Sequence, residues 1–300
     1  MNQHTLKKEY TFEGKGLHTG KQACVLLRPA PAGTGVVFVR TDLGGVEIPA
    51  VAANVASTRR STLLKKGKAK VGTVEHLLSA LYGLGIDNAY VHINSPEMPI
   101  LDGSAAPYVN AISPDGTVEQ DAPRAWVEIP HEILVRNERT GAWIKIVPAE
   151  TPSFELTIDF GSKVLGVQTV SYGPGVDYAS QIAPCRTFCF LHEVFPLLFL
   201  GLARGGDVSN AIVVVEKPVK CWQARFMARV LGQTVDAVPA SGYICNPALR
   251  FEDECARHKL LDLIGDLRLC GGFLKAKVEA YKPGHALNTA AAREIMNKLK

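Results

Sequence analysis

The chain has 300 residues, 47% of them hydrophobic and 21% charged; this is long enough for two hydrophobic cores and excludes a disordered chain. Its formal net charge of +4 is too mild for a nucleic-acid binder, whose basic residues concentrate in stripes or alternate with aromatic stacking platforms. Seven cysteines, odd in number and without a Cys-x-x-Cys pair, exclude a disulfide framework and a thiolate zinc site and point to a reducing, cytoplasmic setting. The start, Met1 to Tyr10, lacks the apolar segment of a signal peptide. The longest apolar stretch, Phe195 to Ala203, is far short of the ~20 residues that cross a bilayer.

Taken in chain order, Cys24 to Leu27 and Gly35 to Val39 read as strands. The basic run Lys65-Lys66-Gly67-Lys68-Ala69-Lys70 reads as a solvated hairpin tip rather than a phosphate site. Val74 to Leu84 reads as a helix with Thr73 as its N-cap, and Ala89 to Ile93 as a strand. Asp102 and Ser104, around an Asp-Gly turn signal, are expected to form hydrogen bonds rather than to catalyse. The polar stretch from Ser113 to Arg124 has turn residues and no periodicity, which places a boundary between a domain at 1–122 and a second at 123–300. Strand-like runs return at Trp126 to Ile129, Trp143 to Val147, Phe154 to Phe160 and Asn210 to Val215. A helix containing His258 follows, then more strand-like sequence at Phe273 to Tyr281.

Both halves carry a helix with a histidine near its start and a leucine stripe behind it: Glu75-His76-Leu77-Leu78 in the first, Arg257-His258-Lys259-Leu260-Leu261-Asp262 in the second. This suggests a duplication and an α+β fold of two similar halves, each presenting one helix to a common cleft. His258 and Asp262 stand four residues apart, so an imidazole and a carboxylate share one helix face together with Gly265 and Asp266, while Leu260, Leu263, Ile264 and Leu267 lie opposite. The polar pair is therefore expected off the buried stripe.

His76, His258 and Asp262 would give a divalent ion such as Zn2+ three ligands and leave its fourth position open to water. Glu75, next to His76 and pointing about 100° away on the helix, is placed to take a proton from that water. His285, after a Pro-Gly turn, is a candidate acid for the leaving group, with Asp266 one turn beyond Asp262 to keep it protonated. His18 reads as a turn residue near the cleft, and His4, His92, His131 and His192 as ordinary strand or surface histidines.

Several segments in the same order along nearly the whole chain resemble the UDP-3-O-acyl-N-acetylglucosamine deacetylases, zinc amidases of lipid A synthesis in Gram-negative bacteria. They are Gly16-Leu17-His18-Thr19-Gly20, Thr73 to Leu81, Leu101-Asp102-Gly103-Ser104-Ala105-Ala106-Pro107, Cys185-Arg186-Thr187-Phe188, Phe251 to Asp266 and Gly284-His285-Ala286-Leu287-Asn288. The resemblance implies zinc held by His76, His258 and Asp262, Glu75 as general base and His285 as the acid that protonates the departing nitrogen, with Asp266 behind it. It also implies that Thr187 stabilises an oxyanion and that Lys259 lies near the nucleotide diphosphate. Phe188, Phe190 and Val194 would begin an apolar inserted element, near 188–205, that forms a passage for the acyl chain. The implied fold is a β-α-α-β sandwich, two sheets enclosing a layer of helices.

In some bacteria the family's enzyme is fused to a 3-hydroxyacyl-carrier-protein dehydratase, and a chain ending in a basic, helix-like tail is compatible with being one half of such a fusion. The segment 216–249 is longer than the resemblance leads one to expect. Two other classes use the same ligands: a non-haem Fe2+ oxygenase built on two histidines and a carboxylate, and a non-catalytic lipid- or sugar-binding protein with a structural zinc. In the deacetylase itself Fe2+ is the ion that competes with Zn2+ in the cell.

Overall fold

The computed structural model describes residues 1–199, 204–218, 222, 225–226 and 239–299. Two large mixed sheets dominate it, and they repeat one topology. The first has the strand order Tyr10–Lys15, Gln22–Pro29, Ala89–Ile93, Val36–Arg40, Val46–Pro49. The second has Ile133–Asn137, Ala142–Pro148, Phe273–Tyr281, Ser153–Asp159, Val167–Tyr172, with Trp126–Glu128 also paired to Phe273–Tyr281. In each, two antiparallel hairpins flank a strand that comes last in sequence, antiparallel to one hairpin and parallel to the other. A central strand can lie parallel to a neighbour only after a crossover, and a helix supplies it in both halves: Glu75–Gly83 before Ala89–Ile93, and Glu254–Leu267 before Phe273–Tyr281. The duplication suggested by two short histidine-leucine segments is thus repeated in strand order.

Each half carries a small extra sheet. In the first it joins Val55–Ser57, Leu63–Lys66 and Ala69–Val71, and the lysine run forms its two-residue hairpin turn, with Gly67 at φ +57°. In the second it joins Phe188–Phe190, Ile212–Val215 and Gly242–Ile244, with a helix at Leu191–Phe199 following the first strand. Residues 200–203 of the expected apolar element, and 219–221, 223–224 and 227–238 of the long segment, lie outside the described residues.

One continuous apolar core takes Val25, Phe38 and Val91 from the first sheet, Leu77, Leu78 and Leu81 from the Glu75 helix, Leu260, Leu263 and Ile264 from the His258 helix, and Ile144, Leu156 and Val278 from the second sheet. Burying each such side chain is worth ~1.5–3 kcal/mol, so these helices are held by packing on both sides rather than by intrinsic helicity.

Three local expectations give way. Thr73 is not the N-cap of the Glu75 helix: it has φ +56° and its hydroxyl donates to Glu97 Oε1 at 3.2 Å, while Val74 stands at the cap position without a side-chain bond. The polar stretch 113–124 is not a plain linker, because Thr117–Pro123 pairs antiparallel with Asn2–Leu6. The polar faces of the two helices are not off the buried surface either, since Glu75, His76, His258, Asp262 and Asp266 are all 6% exposed or less. Helical periodicity separates apolar from polar faces; it cannot tell a solvent face from one pressed against a second polar helix.

Candidate active site

The two helices meet at Gly265, where a Cβ would lie 2.1 Å from the carbonyl oxygen of Glu75. Only a residue without a side chain permits that approach, and it falls on the face that also carries His258 and Asp262. The crossing therefore brings the charged start of one helix against the C-terminal half of the other. There the ligand atoms of His76, His258 and Asp262 all lie within 4.8 Å of one another. Asp262 Oδ1 is 3.4 Å from His258 Nε2 and 3.7 Å from His76 Nε2, and the two imidazoles stand edge to face with centroids 5.0 Å apart.

The electrostatics of this cluster suit a cation. Burial pushes His76 down to about 3, helped by His258, and lowers His258 as well, so both rings are neutral and carry a free lone pair. His258 Nδ1 sits 2.9 Å from the carbonyl of Cys185, an acceptor that fixes the proton on Nδ1 and turns Nε2 toward Asp262. Burial alone would raise Asp262, but the Lys259 ammonium, with the His285 imidazolium, holds it below its ordinary value, hence ionised. Its Oδ2 accepts from Lys259 Nζ at 2.6 Å, whereas Oδ1 is buried with no hydrogen-bond partner. An orphaned carboxylate oxygen facing two neutral imidazoles costs several kcal/mol unless something positive sits there, so the residues fit a divalent ion.

Glu75 and His285 flank the cluster. Glu75 Oε1 lies 3.8 Å from His285 Nε2, and Oε2 accepts from the main-chain nitrogen of Thr62 at 3.1 Å. Burial, with Asp266 and Asp262 nearby, raises Glu75 to about 8. His285 opens the helix His285–Lys298 instead of riding on a free turn. Burial and a helix N-terminus both disfavour a charged imidazole there. Asp266, Asp262 and Glu75 outweigh them and raise His285 to about 9. The closest of the three is Asp266, whose Oδ2 is 2.8 Å from His285 Nδ1. Asp266 is itself fully buried, accepting from Thr62 Oγ1 at 2.5 Å and Asn288 Nδ2 at 2.9 Å.

A cavity of about 270 Å³ opens over these groups. Glu75, His76, Thr187, Phe188, Phe190, His258, Lys259, Asp262 and His285, all singled out from sequence, line it. Asp266 does not, and acts on it only through His285. Val194 does not line it either; it packs with Leu191, Val208, Val213 and Val215 in a satellite apolar cluster. Phe188, Phe190 and Phe160 form an aromatic wall with centroids 5.5–6.4 Å apart.

Sequence reasoning missed Thr62, which touches both Glu75 and Asp266, and it missed Arg60, Glu193 and Phe160 in the cavity wall. No spacing signal marks them, because a loop delivers Arg60 and Thr62, the end of Ser153–Asp159 delivers Phe160, and the helix Leu191–Phe199 delivers Glu193. His18 lies in the cavity wall with both ring nitrogens buried and unpartnered, in a turn held by Glu97, which accepts from His18 N and Thr19 N at 2.8 Å each. Asp102 forms the hydrogen-bonded turn expected of it, accepting from Ser104 and Arg250.

A family model described as UDP-3-O-acyl N-acetylglycosamine deacetylase matches residues 3–228 and 220–297 of this chain. A "UDP-3-O-acyl-N-acetylglucosamine deacetylase" of Legionella pneumophila (strain Corby) is 42% identical over 300 residues, covering 99% of this chain and 90% of that protein. Its namesake in Pseudomonas entomophila is 42% identical over 302 residues, with 99% and 90% covered. A "Bifunctional enzyme LpxC/FabZ" of Porphyromonas gingivalis is 41% identical over 301 residues, and the chain spans 100% of its own length but only 65% of that relative's. With nearly every residue matched by the family model and two deacetylases 42% identical over 90% of their length, the chain belongs to the UDP-3-O-acyl N-acetylglycosamine deacetylase family.

Proposed function

We propose that the protein is a deacetylase that hydrolyses the N-acetyl group of a UDP-3-O-(3-hydroxyacyl)-N-acetylglucosamine, releasing acetate and a free amine, in lipid A synthesis. The observation that carries this reading is the orphaned Asp262 Oδ1 between two neutral imidazoles, with a carboxylate of raised pKa and a protonated imidazole on either side. The names of the Legionella and Pseudomonas relatives supply the substrate class.

His76, His258 and Asp262 would hold Zn2+, with Fe2+ as the competing ion in the cell. Once bound, the ion would supply Lewis acidity to water and to the amide carbonyl. Glu75 takes the proton of the attacking water, and its raised pKa suits a base working near neutrality. As the C–N bond breaks, His285 gives a proton from Nε2 to the departing nitrogen while Asp266 holds Nδ1. The Thr187 hydroxyl donates to the oxyanion that forms on the acetyl carbonyl. Lys259 meets the negative charge of the diphosphate. Phe188 and Phe190 contact the acyl chain, while Val194 packs in the satellite cluster with Leu191 and Val213.

The same reading includes two domains, 1–122 and 123–300, arranged as sheets enclosing the paired helices, and a cytoplasmic location. Its support for the latter is that no helix among the described residues is long and apolar enough to cross a membrane. The name of the Porphyromonas relative describes a second activity on that polypeptide, of which this chain spans 65%.

A facial-triad oxygenase has no use for a base and a protonated acid set beside its ligands, so the flanking pair favours hydrolysis. Metal-analysed protein incubated with the acylated UDP-sugar should release acetate in step with a new amine. Glu75→Gln should keep its metal and lose ~10²–10⁴-fold in kcat; near-normal turnover by a metal-loaded Gln variant removes Glu75 from the base role.

A further inference from the structure

Arg186 heads the fully buried side chains by volume, yet neither it nor its partner Glu254 lines the cavity. Its Nε donates to Glu254 Oε1 at 2.8 Å and its Nη2 to Oε2 at 3.1 Å; Nη1 and Nη2 also reach the carbonyls of Pro247 and Ala248 at 2.8 and 2.9 Å. The main-chain nitrogen of Arg186 donates to Glu254 Oε1 at 3.0 Å as well, so Glu254 grips the backbone as firmly as the guanidinium. Both side chains are 0% exposed. A pair this deeply desolvated gains little net stability over an apolar pair of the same volume; its distinctive property is that it permits one geometry only.

That geometry has consequences on either side. Glu254 is the first residue of the Glu254–Leu267 helix and lies one turn before His258 on the same face. The residue before Arg186 is Cys185, whose carbonyl is the acceptor for His258 Nδ1 at 2.9 Å. The residue after it is Thr187, which lines the cavity and donates its main-chain N–H to Gly103 O at 2.8 Å. Sliding the 185–187 segment along the helix by an ångström would therefore break the bond that orients a candidate ligand and move the Thr187 hydroxyl at the same time.

We propose that Arg186 and Glu254 are positioning residues: their ion pair sets the register between segment 185–187 and the His258 helix, and through it both the orientation of the His258 imidazole and the placement of the Thr187 hydroxyl. The inference rests on the metal-centre reading above.

The test compares Glu254→Gln, which removes the charge but keeps the shape, with Arg186→Lys, which keeps the charge but removes the fork. Arg124→Lys, which loosens the Arg124–Asp87 pair outside the cavity lining, serves as the stability control. Zn2+ affinity is read by chelator competition on folded protein, independently of turnover; kcat and KM are then read at saturating Zn2+. The expected result is a Zn2+ Kd raised ~10–100-fold in both variants. A kcat loss of ~10–100-fold, with KM moving less than about threefold, should accompany it. Arg124→Lys should lower Tm and leave the Zn2+ Kd unchanged. If Glu254→Gln gives no folded protein, Arg186→Lys decides on the same readings. Folded variants whose Zn2+ Kd and kcat stay at wild-type level, or change no more than in Arg124→Lys, overturn the proposal. A wild-type protein that binds no Zn2+ overturns the metal-centre reading instead.

Discussion

Replacing Asp266 with asparagine should shift the whole pH profile toward acid. His285 is raised from 6.5 to about 9 although burial alone would lower it, and of the three carboxylates responsible Asp266 is nearest, at 2.8 Å from Nδ1. An opposite charge at this range is worth ~1–3 pKa units, so the variant's His285 should titrate ~1–2 units lower. The sign follows from the role: the acid must be protonated, its proton is lost as pH rises through the pKa, and a lower pKa brings that loss earlier. At pH 8 the protonated share should fall from about nine-tenths to between about a tenth and a half. Asp266 also raises Glu75, after burial the main cause of that shift, so its removal eases ionisation of the base at lower pH. Both limbs of the kcat/KM profile therefore move the same way, as macroscopic values of a coupled group. The asparagine carbonyl can take the place of Oδ2 and still accept from Nδ1 and Asn288, while its amide donates to Thr62 Oγ1, which keeps the imidazole in place. The assay is kcat/KM for acetate release from pH 5 to 10 on metal-saturated protein. Limbs of the variant lying within ~0.3 units of wild type would refute the assignment of Asp266 to the acid.

Other perturbations follow from contacts at the same crossing. Gly265→Ala forces a methyl against the Glu75 carbonyl, and should cost ~1–3 kcal/mol by denaturant unfolding while displacing the base enough to depress kcat. Thr62→Val leaves Asp266 Oδ1 without its 2.5 Å donor, for an expected loss of ~1–3 kcal/mol, and an unchanged unfolding midpoint would discount that bond. Chelation should release a positive charge that Asp262 Oδ1 needs; Tm is expected to fall on chelator addition and to recover with Zn2+, by ~2.7 kcal/mol of linkage at a hundredfold excess over Kd. A Tm indifferent to chelator and metal alike would count against the three-residue site.

What was legible at the candidate site traces to short-range geometry. Residues four apart on a helix share a face whatever surrounds them, so His258 and Asp262 could be paired from their spacing and Glu75 set beside His76 from adjacency. Several strands were legible for the same reason: Ala89–Ile93 and Phe273–Tyr281 form as their apolar patterns suggest. The failures have a matching cause. Thr73 looks like a cap because threonine before a helix usually is one, but a tertiary partner, Glu97, claims its hydroxyl. Thr62 carries no pattern at all, since what makes it functional is contact with Asp266, 204 residues away. Val194 belongs to an apolar run, and periodicity cannot say which of its side chains face a cavity and which a satellite core.

The sequence by itself determined which side chains are chemically competent and which of them share an element, because side-chain direction along a helix or strand is a local property of the backbone. Only the tertiary structure decided that the two polar helix faces meet each other instead of water, through one glycine that lets the backbones touch. It alone decided that burial makes the histidines neutral, that three carboxylates keep His285 charged, and that Asp262 is left with an oxygen in need of a cation. Desolvation and Coulomb terms depend on neighbours brought in from distant parts of the chain, and no spacing along the chain encodes those distances.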